Sequence, residues 1–306
     1  MRVFVTGATG FIGSAVVDEL LSAGHTVLGL VRSDDGANQV ESQGAESLRG
    51  TIEDLDLLAD AASKCDAVIH LAFILDFADI EGCCAKDRAA ITAMGDALVS
   101  AGGDKALVST TATMMLQHGK VGREEDGPDM TNSMLSVRGA SEPVCLAYAN
   151  KGIRASAVRI PPTAHGEGQS GLMGYLVDAA LQKGISAYAS EYNNRWSACH
   201  RNDVAKLYRM AIERAEPGST FHAVAEEGVA IKDIAAEISK HLDVPLKGLT
   251  QDELQEHFGW IAFGVSADNP ISSASTQERL GWTPTGPTAL EDVPTVIKFK
   301  QSTISV

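Results

Sequence analysis

Gly7, Gly10 and Gly13 stand three residues apart in Thr6-Gly-Ala-Thr-Gly-Phe-Ile-Gly13, the strongest chemical signal in the chain. An apolar, β-branched run, Met1–Val5, precedes them. Ser14-Ala-Val-Val-Asp-Glu-Leu-Leu follows with helical periodicity. Glycine at position 7 lets the backbone turn sharply, at 10 it lets the backbone approach an anion, and at 13 it lets a helix pack close to a strand. Thr9, Phe11 and Ile12 complete a loop whose main-chain N–H groups open a helix, where positive partial charge gathers. The chemistry this predicts is binding of a dinucleotide pyrophosphate. Thr26-Val-Leu-Gly-Leu-Val31, a second strand candidate at βαβ distance, supports it.

The second strand ends Leu30-Val31-Arg32-Ser33. An acid at Val31 would bind a ribose 2′-OH, and none is there. Arg32 is suited to pair with a 2′-phosphate and Ser33 to add a hydrogen bond, so NADP is expected ahead of NAD. Asp34 and Asp35 are rival partners for Arg32. Thr51 and Ile52 should border the adenine, and Leu71 and Ala72 should run beneath the adjoining ribose. Pro161 and Pro162 break the chain where the nicotinamide should sit. His165 follows on a predicted loop, 165–171, where an imidazole is suited to exchange a proton near neutral pH. Asp87 lies on a helix expected to face the cleft, with Arg88 as its nearest ion-pair candidate. Thr111 ends a strand and is suited to bond a substrate oxygen.

These residues need a frame. Apolar strands are predicted at 66–72, 105–109 and 153–160, with helices near 53–63, 80–101 and 136–151. The alternation is that of an α/β, Rossmann-type, doubly wound parallel sheet. Pro143 should kink the last of those helices. Residues 1–160 are expected to form the dinucleotide-binding domain. Residues 161–306 should be mostly a substrate-binding lobe, with some segments returning to the first domain. Helix 172–183 falls in this lobe, as do Tyr192, Arg195 and Trp196, candidates for substrate contact or packing.

The 306 residues include 40 acidic and 25 basic side chains, a formal net charge of −15. That balance disfavours nucleic acid and anionic membranes as partners. No apolar run matches a membrane span, no signal peptide is read at the start, and a cytoplasmic location is expected. The five cysteines are scattered without zinc spacing, so reduced thiols and no metal are expected.

The glycine triplet, His70-Leu-Ala72 and His200-Arg-Asn-Asp-Val-Ala205 together resemble the short-chain dehydrogenase/reductase superfamily. The extended branch, with its epimerase/dehydratase-like and 3β-hydroxysteroid-dehydrogenase-like members, is nearest. The likeness runs to Leu280-Gly-Trp-Thr-Pro284. It implies that Thr111 stands on the family's serine, Asp87 near its asparagine, Arg138 on its lysine and Met134 on its tyrosine. The Tyr-x-x-x-Lys motif is therefore missing; Tyr148-x-x-Lys151 is one residue short and reads as a helix end. Arg138 keeps a cation suited to ribose hydroxyls, but methionine carries no proton. His200 and Asp203 resemble a motif that fixes the lobe to the nucleotide domain. The expected function is an atypical NADP-dependent oxidoreductase acting on a small carbonyl or alcohol. An epimerase or dehydratase is the variant in the same class, and a non-catalytic NADPH sensor or scaffold is the rival. A monomer is expected, or a homodimer through the helices near 80–101 and 136–151.

Overall fold

The computed structural model describes residues 1–76, 78–168 and 171–304, with the backbone alone at 133–135 and 304. Among the described residues, twelve strands form three sheets. They are β1 (Arg2–Thr6), β2 (Thr26–Val31), β3 (Glu46–Arg49), β4 (Ala67–His70), β5 (Ala106–Ala112), β6 (Arg154–Ile160), β7 (Thr163–His165), β8 (Ser186–Ala189), β9 (Arg195–His200), β10 (Ser219–His222), β11 (Glu226–Ala230) and β12 (Leu246–Leu249). Seven make one parallel sheet in the order β10-β6-β5-β4-β1-β2-β3. The order reverses at β1, so a crevice opens beyond the carboxyl ends of β1 and β4, where open α/β sheets bind ligands. The smaller sheets run β11-β9-β7 and β12-β8.

Nine helices carry the argument: α1 (Phe11–Ser22), α2 (Asp34–Ser42), α3 (Leu55–Ser63), α4 (Ile80–Ala101), α5 (Ser133–Gly139), α6 (Ser141–Leu146), α7 (Gly171–Lys183), α8 (Arg201–Arg214) and α9 (Ile231–Leu242). The central strands are apolar throughout because both faces of the sheet are covered. Successive side chains alternate between faces. Val3 and Val5 join Val16, Leu20, Tyr208 and Ile212 under α1 and α8. Phe4 points the other way, among Leu58, Ile91, Met94 and Leu98 of α3 and α4. A third core, with Met173, Val177, Trp196, Ile234 and Val293, lies under α7, α9 and the helix Ala289–Ile304.

The strand expected at 66–72 stops at His70, because the N–H groups of Leu71 and Ala72 turn to the Thr6 hydroxyl, each at 3.2 Å. The long helix expected over 136–151 is two helices and a 3₁₀ turn. The break at Gly139/Ala140 lies four residues before Pro143, where a proline ring collides with the carbonyl of an α-helix. Pro143 itself sits in the first turn of α6, where its missing N–H has no intrahelical acceptor to lose. The loop expected at 165–171 begins instead as the last residue of β7, paired in register with β9; positions 169 and 170 lie outside the described residues. The edge strands β3 and β10 were not legible, being four residues each with no clean alternation. Chain from the second half, β10 and α8, packs onto the main sheet and α1.

Close packing of α1 on β1 is set by Gly13. A Cβ built there would lie 1.9 Å from the Gly7 carbonyl oxygen, an impossible contact against backbone. Gly13→Ala is therefore expected to destabilise the fold by on the order of 2–3 kcal/mol through overpacking. Urea unfolding checks it: the midpoint should drop with an unchanged slope.

Candidate functional site

The crevice is a cleft of about 370 Å³ lined by Gly7, Thr9, Gly10, Leu30, Arg32, Thr51, Ile52, Glu53, Leu71, Ala72, Phe73 and Ile74. Gly7 adopts φ +70°, and a Cβ on it would lie 2.8 Å from the Ala72 nitrogen. Gly10 caps α1 without a side chain, so the first-turn N–H groups of Phe11, Ile12 and Gly13 are left for an anion. A cradle with no Cβ in it, beside an uncapped helix start, fits a dinucleotide pyrophosphate. The Phe11 ring itself turns away, under the Arg201 guanidinium at 4.9 Å, and Ile12 packs on the core. Arg201 also reaches Ser14 Oγ at 2.7 Å, tying α8 to the start of α1.

At the end of the cleft nearest β2, Arg32 lines it and has no ion-pair partner among the described residues. Asp34, a rival for it in the sequence, instead approaches Arg49 at 3.6 Å. Ser33 is the N-cap of α2, its Oγ accepting the Gly36 N–H at 3.1 Å, so one of its lone pairs is already engaged. Thr51 donates its hydroxyl and its N–H to Asp54.

Beneath the other end runs a buried polar thread. The Thr6 hydroxyl accepts the two N–H groups of Leu71 and Ala72 and lies 2.7 Å from His70 Nδ1. The remaining hydroxyl proton goes to Nδ1, which places the ring proton on Nε2, 3.2 Å from Asp87 Oδ1. Asp87 Oδ2 takes an N–H from Arg138 at 3.1 Å, and Arg138 gives another to the Thr110 carbonyl at 2.9 Å. The guanidinium lies 4.2 Å from the centre of the Phe73 ring, which lines the cleft. Asp87 is 2% exposed. Burial alone would raise its pKa, but the His70 N–H and the Arg138 charge outweigh burial and hold it below the ordinary carboxylate value. The expected Asp87–Arg88 pair is absent. Adjacent residues on a helix do not face each other, and Arg88 reaches the Val137 carbonyl at 3.5 Å instead.

Thr111 belongs to a second buried group. It stands opposite Arg159 in the β5–β6 register, and Glu142 of α6 covers both. The Thr111 hydroxyl donates to Glu142 Oε2 at 3.0 Å, and Arg159 grips both Glu142 oxygens at 2.8 and 2.6 Å. Arg159 also donates to His222 Nε2 at 3.1 Å, while His222 Nδ1 lies 2.7 Å from the Ser272 carbonyl. Glu142 and Arg159, with Glu124 on Thr276, were not singled out in the sequence. Arg159 stood out only as a charge inside an otherwise apolar strand, and Glu124 and Glu142 carried no distinguishing signal.

His165 is corrected most. It has no exposed surface; its Nδ1 lies 2.8 Å from Asp292 Oδ2 and its ring meets His200 edge-on at 5.6 Å. A fully enclosed ring is closed to the cleft, and its contacts bind β7 to the helix Ala289–Ile304. Pro161 and Pro162 are buried at the end of β6, and the Pro162 carbonyl accepts the Leu172 N–H. Met134 lies on α5, and its side chain is outside what is described. Tyr148 bonds the Thr92 carbonyl and Asp96, and burial with Asp96 alongside pushes its phenol pKa up. Trp196 is buried and bonds the Gly264 carbonyl, Arg195 pairs with Asp268, and Tyr192 is exposed. His200 caps α8, and Asp203 accepts the Thr285 and Gly286 N–H groups, joining α8 to the C-terminal segment. No group of three His, Cys, Asp or Glu side chains suited to a metal occurs among the described residues, and no helix there is long and apolar enough to cross a membrane.

A Rossmann-type sheet, a glycine cradle at its switch point and a C-terminal lobe define an NAD(P)-dependent enzyme of the oxidoreductase type. Residues 3–224 match the model of the NAD dependent epimerase/dehydratase family, and the chain belongs to that family. An uncharacterized protein of Schizosaccharomyces pombe is 44% identical over 294 residues, spanning 96% of this chain and 98% of its own. An uncharacterized protein of Saccharomyces cerevisiae is 41% identical over 295 residues, with 96% and 98% coverage. The crystal structure of UDP-glucose 4-epimerase from Thermotoga maritima with UDP-glucose shares the fold. Its TM-score is 0.79 at 17% identity, and the match covers 99% of this chain and 100% of that one.

The buried charges make stability depend on pH. His222 is held below the ordinary histidine pKa by burial, helped by the Arg159 charge against the bond to Ser272. His222 folds neutral and Asp87 folds charged, so the unfolded chain binds more protons as pH falls. The histidine contribution is full above the unfolded value of 6.5, and the Asp87 contribution above 3.8; each is lost as pH drops through the folded pKa. Urea midpoints should therefore fall between about pH 7 and 5, less steeply in His222→Gln. Asp87→Asn leaves Arg138 without its counter-charge and should cost on the order of 3 kcal/mol at neutral pH, read by the same unfolding.

Proposed function

We propose that the protein is an NADP-dependent oxidoreductase acting on a small alcohol or carbonyl compound. The observation that carries the cofactor choice is Arg32, which lines the end of the cleft nearest β2 without an ion-pair partner among the described residues, while Val31 stands where an acid would bind a 2′-OH. Gly7, Gly10 and the α1 start would hold the pyrophosphate, and Thr51, Ile52, Leu71 and Ala72 would border the adenosine. Arg138 has N–H groups beyond the two that bind Asp87 and Thr110, and these would serve ribose hydroxyls. The bound cofactor supplies hydride transfer.

Thr111 gives its hydroxyl proton to Glu142 and keeps oxygen lone pairs. Thr111 is 2% exposed and outside the cleft lining, so a substrate must uncover it; once uncovered, it would accept from a hydroxyl more readily than donate to a carbonyl. This favours the alcohol as the group recognised there, as substrate of an oxidation or as product of a reduction. With His165 enclosed, water is the proton donor or acceptor in this reading. An epimerase or dehydratase working through a transient keto intermediate is a variant in the same class, and the similar fold of UDP-glucose 4-epimerase supports keeping it there.

A second reading, an NADPH-binding protein without turnover, is supported by methionine at position 134. The measurement that separates the two is nucleotide absorbance with a panel of aldehydes, ketones, diketones and the matching alcohols, using NADPH, NADP, NADH and NAD in parallel. Turnover with the phosphorylated cofactor supports the enzyme, and tight binding without turnover across the panel supports the sensor. Met134→Tyr with Arg138→Lys is expected to raise carbonyl reduction by about 10²-fold, the usual contribution of a placed general acid. An unchanged, substantial wild-type rate would mean that other residues carry the proton.

A further inference from the structure

We infer that Arg49 is the second arm of a two-arginine clamp, with Arg32, on the 2′-phosphate of NADP(H). This rests on the NADP reading above and adds a residue that no motif or spacing singles out.

The parallel register pairs Arg49 with Val31, the residue before Arg32, and the Gly50 N–H donates to the Val31 carbonyl at 3.0 Å. Arg49 thus ends its strand beside the point where Arg32 leaves the sheet. Ser47, two residues earlier and on the same face, bonds Glu41 of α2. Arg49 likewise reaches toward α2, its guanidinium 3.6 Å from Asp34 in the first turn. Arg32 lines the cleft, whereas Arg49 is outside its lining and faces the first turn of α2 through Asp34, so the two arginines stand on either side of the short link Arg32–Asp34.

Arg49 is also loosely held. A separation of 3.6 Å exceeds hydrogen-bond length, and the two side chains are 49% and 95% exposed. Exposed ion pairs contribute little. Arg2, Arg159 and Arg195 are fixed by short bonds to Glu46, Glu142 and Asp268, while Arg214 and Arg279, at 4.0 and 3.8 Å from Glu213 and Glu216, are paired as loosely as Arg49 but lie away from the cleft lining. A phosphate monoester carries more charge than one carboxylate and offers three oxygens to a planar guanidinium, so it outcompetes Asp34. Asp34, released, stays in water at little cost. In a chain of net charge −15, two weakly partnered cations at one short link form a local exception of the kind a 2′-phosphate needs.

The test is the dissociation constant of NADPH and of NADH, read by nucleotide fluorescence on the full-length wild type, Arg32→Ala, Arg49→Ala, Arg49→Lys and Asp34→Asn. Wild type should favour NADPH. Arg49→Ala should weaken NADPH about tenfold and leave NADH unchanged, the effect of losing one charge-assisted contact. Arg49→Lys should fall between, and Asp34→Asn should tighten NADPH by removing the competing carboxylate. Thermal unfolding of nucleotide-free Arg49→Ala should match wild type, because the side chain is exposed. If Arg32→Ala abolishes the preference for NADPH while Arg49→Ala leaves it intact, Arg49 has no such role and the NADP reading stands. Equal weakening of both nucleotides by Arg49→Ala also overturns the clamp. Equal wild-type affinity for NADPH and NADH overturns the NADP reading, and the clamp with it.

Discussion

One carboxylate, Asp87, sits beneath the cleft at 2% exposure, and the geometry around it depends on keeping it compensated. A buried charge is tolerated only when opposite charge and hydrogen bonds meet it. Here they come from four separate elements: His70 on β4, Thr6 on β1 behind it, Arg138 on α5, and through Arg138 the Thr110 carbonyl on β5. The same Thr6 oxygen takes the N–H groups of Leu71 and Ala72 and so bends the chain under the glycine turn. The position of the phosphate cradle and the position of the Arg138 cation are thus parts of one connected network.

That network bears on proton chemistry. A lysine beside a tyrosine lowers the phenol pKa by its charge; an arginine whose charge is already met by Asp87 has less to offer, and position 134 holds a methionine with nothing to titrate. The neighbouring group is built the same way. Arg159 grips Glu142 through Nε and one terminal nitrogen, and Thr111 spends its proton on the same carboxylate. The result is two paired charge sets, Asp87 with Arg138 and Glu142 with Arg159, under consecutive residues at the end of β5. Both carboxylates are met by arginine, so neither set offers an unpaired acid or base.

Buried polar contacts tie the second half of the chain together. Asp203 of α8 takes the Thr285 and Gly286 N–H groups, Trp282 donates to the Asp203 carbonyl, and His165 on β7 holds Asp292. Each contact joins residues 79 to 127 apart in sequence, so these side chains meet only once the segments between them have folded.

Much of the frame was legible in the residues themselves. Steric need at Gly7 and Gly13, the apolar run of β1, the exact span Thr26–Val31 and the helix at 80–101 follow from local periodicity and dihedral preference, which depend on chain neighbours. Pro143 announced a disturbance in its helix, though not that the break would fall at Gly139. What the chain order hid was partnership between charges. Arg88, next in sequence to Asp87, lies on another helix face, and the true partner is Arg138 on a different helix. Asp34 faces Arg49, delivered by the short edge strand β3, rather than Arg32. His165 reads as an open loop residue until β9 and the helix Ala289–Ile304 close over it. Backbone form is decided mainly over a few residues by sterics and propensity. The pairing and burial of a charged side chain are decided by whichever groups the folded elements bring within hydrogen-bond reach, and only the tertiary structure sets those.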